Sequence, residues 1–129
     1  MNKKVAVLWC QALKSGKFKK NSGTLCSFDG SKLSAFGVLC EISGCGFFEQ
    51  NQVNKLWFFR PFIRCESIMK PNGGETVFVP KCVMDWAEMK TNCGEIWLGL
   101  DDKTNMLRLN RDYDFPQMAE FIRNNYQWL

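Results

Sequence analysis

The chain has 129 residues, 46% hydrophobic, 14% aromatic and 23% charged, a composition that fits one globular domain and excludes disorder. Six lysines and no acid fall in residues 1–20, so that segment contributes +6 and leaves the rest of the chain at −2 of the total +4. With no histidine, Ser–His and Cys–His pairs and an imidazole general base are excluded, and an enzyme is not expected.

Seven cysteines form no zinc pattern, since Cys40 and Cys45 are the one close pair and no second pair answers them. Without a secretory signal (Val5–Cys10 is too short an apolar run), they read as free thiols in a reducing cytoplasm. No stretch approaches the roughly 20 apolar residues that span a bilayer, so no membrane association is expected, nor any cofactor or metal.

Val5, Leu8, Trp9, Ala12 and Leu13 recur at helical spacing and predict a helix over 3–14, ended by Gly16. The following loop sets Phe18 among Lys17, Lys19 and Lys20, and its glycines and serines would let backbone amides point outward toward an anion. It lacks the Gly-Lys-Ser/Thr pattern of a nucleoside-triphosphate loop. Thr24–Phe28 reads as a short strand closed by the Asp29-Gly30 turn, and Ser31 or Ser34 as the cap of a second helix carrying Ala35, Val38, Leu39 and Ile42.

Lys55–Met69 reads as an extended segment interrupted by Pro61, with Leu56, Phe58 and Arg60 on one side and Trp57 and Phe59 on the other. The turn Pro71-Asn72-Gly73-Gly74 then leads to a return strand, Glu75–Val79. Pro80 opens a short helix through Met89 that places Val83, Trp86 and Ala87 on one face. Gly94–Leu100 and Met106–Asn110 read as a hairpin around Asp101–Thr104. Asp114 and Gln117 make a capping box, with Pro116 in the first turn and a stripe of Phe115, Met118, Ala119, Ile122 and Tyr126. This order predicts one α+β domain over 1–129, a small antiparallel sheet with three to four helices.

Phosphate recognition uses Lys and Arg, and nucleobases stack on aromatic faces. Three clusters qualify: Lys17, Phe18, Lys19 and Lys20; Trp57, Arg60 and Arg64; Arg108 and Arg111. The alternative is a set of solvated charges beside core aromatics. Asp101-Asp102 and Asp112/Asp114 suit a turn and a cap better than a divalent-metal site.

Trp9…Ala12-Leu13-Lys14-Ser15-Gly16-Lys17-Phe18-Lys19, Gly23-Thr24-Leu25 and Phe36-Gly37-Val38-Leu39-Cys40-Glu41 form a recognisable opening. Trp86-Ala87 and Leu107-Arg108-Leu109-Asn110-Arg111…Phe115-Pro116-Gln117-Met118-Ala119-Glu120-Phe121-Ile122 complete it. This pattern resembles a family of small bacteriophage and prophage proteins, with Arg111 standing where that family usually has an acid. The resemblance implies a phage setting in the cytoplasm of an infected bacterium. Together with the basic–aromatic clusters it leads to an expected function. The chain would be a non-enzymatic accessory protein that counters host defence by sequestering a nucleotide-type immune signal, as a homo-oligomer. One alternative is a protein–protein inhibitor that docks on a host defence effector. Another is a small nucleic-acid-binding regulator, disfavoured by the modest net charge.

Overall fold

The computed structural model describes residues 1–63, 75–99 and 101–129. In chain order these form α1 (Lys3–Lys14), β1 (Lys19–Lys20), β2 (Lys32–Leu33), α2 (Ala35–Ser43), β3 (Gly46–Gln50), β4 (Trp57–Pro61), α3 (Lys81–Ala87), β5 (Glu95–Trp97), β6 (Lys103–Asn105), α4 (Met106–Asp112) and α5 (Phe115–Asn125), with a final 3-10 turn over Tyr126–Trp128. The class is α+β, as expected, with five helices among the described residues where three to four were read. The strands form three separate two-stranded ladders, two antiparallel and one, β1–β2, parallel. No helix among the described residues is long and apolar enough to cross a membrane.

Each long helix starts at a side-chain cap that satisfies backbone amides the helix itself leaves free. Asn2 accepts from Lys4 and Val5 at α1, Ser34 accepts from Gly37 at α2, and Asp114 and Gln117 make the reciprocal box at α5. Gly16, at φ +76°, turns the chain away after α1. The buried stripe of α1 is Val5, Ala6, Trp9 and Leu13, rotated from the expected one. Leu8 is 50% exposed and the smaller Ala6 takes the inner position, where α1 lies against α5 and α2.

Trp9, fully buried, stacks on Phe36 at 5.9 Å and donates from its indole Nε1 to the Ala35 carbonyl at 2.8 Å. The Ala35 amide donates to Asn110 Oδ1 at 2.8 Å, and Asn110 Nδ2 donates to the Asn21 carbonyl at 2.9 Å. One buried amide side chain therefore ties α4 to the start of α2 and to the end of the basic loop. Gly37 lets α2 approach the preceding segment at Leu25 so closely that any Cβ there would run into the Leu25 carbonyl.

Four local expectations need correction. Met106–Asn110 is helix, not strand: its alternating pattern imitates period two, but Asn105 caps the Arg108 amide, and Met106, Leu109 and Asn110 are buried at helical spacing. The hairpin return is β6 instead, in register Glu95↔Asn105, Ile96↔Thr104 and Trp97↔Lys103. Thr24–Phe28 contributes a single bridge, Cys26↔Leu33, and Glu75–Val79 contributes one, Phe59↔Glu75. The partner of β4 is the upstream β3, with Phe48↔Phe59 and Gln50↔Trp57 in register. The Pro71–Gly74 turn lies outside the described residues.

Candidate functional site

Four pieces of chain meet at one open groove of about 280 Å³: the basic loop, the 26–33 segment, the outer face of α2 and one face of the β3–β4 hairpin. In the loop, Ser15 Oγ accepts from the Lys17 amide and the Asn21 amide donates to the Leu33 carbonyl. These two amides are committed within the fold. Phe18 packs half-buried against the core, which leaves Lys17 and Lys19 exposed on either side of it.

The parallel ladder adds a feature of its own. Lys19 is in register with Lys32, so two lysines occupy directly neighbouring positions across the ladder. Like charges paired directly across a ladder destabilise it, and an anion bound there would relieve the repulsion. Asp29, two residues past Ser27, partly offsets Lys32. Its carboxylate accepts from Ser27 Oγ at 2.7 Å and from the Ser31 amide and hydroxyl at 3.0 and 2.7 Å. Those hydrogen bonds, with Lys32 adding a smaller pull, hold the carboxyl well below the usual carboxylate range.

Gly30 stands at φ +77°, and a Cβ there would lie 2.8 Å from the Trp57 ring. The indole lies flush on this turn and its Nε1 donates to the Phe28 carbonyl at 3.1 Å. The β3–β4 register puts Phe48, Gln50, Trp57 and Phe59 on one face of the hairpin, so Phe48 and Trp57 together wall the groove. Glu41 of α2 also lines it, with Cys26 and Leu33 nearby. Burial pushes the Cys26 thiol up, and the carboxylates of Asp29 and Glu41 push it further the same way, so this thiol is a poor nucleophile.

The structure thus brings together Lys17, Phe18, Lys19 and Trp57 from two of the clusters proposed from sequence. Lys20, half-buried at the end of β1, does not line the groove. Arg60 projects from the opposite face of the hairpin, where it pairs with Glu49 and lies over the Phe58 ring at 5.6 Å. Arg108 and Arg111 are exposed on α4 away from the groove walls, and Arg111 pairs with Asp112. Arg64 lies outside the described residues. Sequence reasoning passed over Glu41, Phe48 and Lys32. Glu41 had one usable signal, a charge directly after the buried run of α2. Phe48 had none without the strand pairing.

Among the described residues no group of His, Cys, Asp or Glu side chains is placed to hold a metal ion. The groove lining offers cations, aromatic faces and one carboxylate.

The chain belongs to a family described as a domain of unknown function (DUF8296), whose model matches residues 1–126. No curated protein and no solved structure matches it.

Proposed function

We propose that this member of the family is a non-enzymatic binding protein whose groove takes up a small nucleotide-type anion. In the phage setting implied by its sequence motifs, it would sequester a nucleotide immune signal of the host and so counter defence. One observation carries the reading: Lys17 and Lys19, with no ion-pair partner among the described residues, share a groove with the rings of Phe18, Phe48 and Trp57. Ammonium groups attract phosphate, and aromatic faces stack on a base at roughly 1–3 kcal/mol each. The volume lies near the lower end of small-molecule sites, roughly 300–1,000 Å³, which suits one nucleotide unit. The groove's one thiol, Cys26, is held in its unreactive form, which favours holding a ligand over converting it.

The test is equilibrium dialysis of the purified protein against a panel of mononucleotides, cyclic nucleotides and ADP-ribose-type nucleotides. The bound compound is then released by heating and identified by mass spectrometry. Sequestration requires release of the intact compound. A chemically altered product, or no binding anywhere in the panel, overturns the reading.

A second reading, inhibition of a host defence effector by direct docking, is favoured by one feature. Phe47 and Phe62 are exposed with their rings 5.6 Å apart, next in sequence to the exposed Ile63. That role calls for a host protein that co-purifies whether or not nucleotide is present. The homo-oligomer remains part of the proposal and is read from mass by light scattering.

A further inference from the structure

Glu41 is out of place in a site built only for phosphate. It lies on the outer face of α2, directly after the buried Cys40, and it lines the same groove as Lys17 and Lys19. Among the described residues it has no hydrogen-bond or ion-pair partner, so the two lysines are not spent in neutralising it. Its charge does reach into the groove, because it helps to raise the Cys26 thiol there. A carboxylate in that position repels any ligand that presents phosphate along the whole groove, as a nucleic-acid strand does. It favours a ligand with two unlike ends.

We propose that Glu41 is the specificity-determining residue of the groove. Its two oxygens accept a pair of neighbouring donors on the ligand while Lys17 and Lys19 take the phosphate, so the ligand class is a single nucleotide and not a polynucleotide. This rests on the nucleotide reading given above. A carboxylate accepts only, with two oxygens side by side, and it therefore matches two adjacent N–H or O–H groups. A nucleotide supplies such a pair from one of two sources: the 2′,3′-diol of ribose, which a carboxylate commonly holds in dinucleotide sites, or the N1–H and 2-amino edge of guanine. The aromatic wall of Phe48 and Trp57 accommodates the base in either orientation.

The experiment titrates wild type, Glu41→Gln and Lys17→Ala/Lys19→Ala with four probes. These are guanosine 5′-monophosphate, its 2′,3′-dideoxy analogue, inosine 5′-monophosphate and a short single-stranded oligodeoxythymidylate. Glu41 is exposed, and circular dichroism confirms that each variant is folded. Wild type should bind guanosine 5′-monophosphate about tenfold more tightly than one of the two analogues, the size expected of a hydrogen bond to a charged group. Loss with the dideoxy compound assigns the ribose, and loss with the inosine compound assigns the base edge. Glu41→Gln should abolish that preference and strengthen binding of the oligonucleotide.

Equal preference in wild type and Glu41→Gln, or uniform tightening of all four probes by Glu41→Gln, overturns the role of Glu41 while nucleotide binding stands. Absence of nucleotide binding to wild type removes the groove reading and this inference with it. Retention of binding by the double lysine variant removes the lysines from the phosphate role, and with them the two-ended ligand proposed here.

Discussion

The helical side of the molecule and the groove side treat polar groups in opposite ways. Around Trp9, the indole N–H, the Ala35 amide and both ends of the Asn110 side chain meet partners at 2.8–2.9 Å in a buried setting. Along the groove, Lys17, Lys19 and Glu41 stand without partners among the described residues, and Lys19 faces Lys32 across a ladder. Buried polar groups that lose a partner cost the fold directly, whereas exposed charges cost it little and stay available. The contrast teaches where to look for each property: satisfied buried polar groups lie with the helices, and the unpaired charges on which the proposed recognition depends lie along the groove.

The sharpest way to break this division is at Asn110. Replacing it with Ala leaves the buried Ala35 N–H without its partner, at about 1–3 kcal/mol, and removes the part-buried hydrogen bond to the Asn21 carbonyl. Urea denaturation should show a loss of roughly 2–5 kcal/mol, while the folded fraction keeps its affinity for nucleotide. A loss of affinity with little loss of stability would mean that the two regions are not separable.

Next in size, the double variant Lys17→Ala/Lys19→Ala should weaken nucleotide binding by about ten- to a hundredfold. Its stability should stay within about 0.5 kcal/mol of wild type, because both side chains are exposed and one of them repels Lys32. A large drop in melting temperature would place these lysines in the scaffold.

Trp57→Ala removes one stacking wall and should cost about 1–3 kcal/mol of binding, whereas Trp57→Phe keeps most of it. Equal losses in the two variants would point to the indole hydrogen bond to Phe28, and not to the ring face, as the contribution of Trp57.

The smallest effect concerns Asp29. Its folded carboxyl titrates below the ordinary value, so the unfolded chain takes up the proton first as pH falls. The stabilisation by Asp29 should be fully present near neutrality and begin to fade below about pH 4, where an unperturbed Asp protonates. It should vanish only at still lower pH, beneath the folded value. Denaturation of wild type and Asp29→Asn across this acid range measures it; a gap between the two that widens on acidification would contradict the assignment.

Much of the helical side was legible in the sequence. The bounds of α1 and the capping box of α5 follow from local rules acting within one or two turns: periodic apolar residues, Asn, Ser or Asp caps, and a glycine past the end. Where the same alternation fits two periods, as at Met106–Asn110, only the tertiary burial of Asn110 decides between them. The groove was legible by one wall alone, the contiguous Lys17-Phe18-Lys19. Glu41, Phe48 and Trp57 join it through the placement of α2 and the β3–β4 register, pairings that leave little mark in a single chain. Arg60 was grouped with Trp57 by nearness in sequence, although the strand alternation read there already put it on the other side, as its pairing with Glu49 shows.

The central claim is tested most directly by isothermal titration of a nucleotide panel into the wild-type chain and into Lys17→Ala/Lys19→Ala. The account expects one saturable site per chain for a single nucleotide, with inorganic phosphate bound far more weakly and the double variant at least about tenfold weaker than wild type. No heat of binding for any nucleotide up to about 1 mM, or equal affinity of the two proteins, would contradict it.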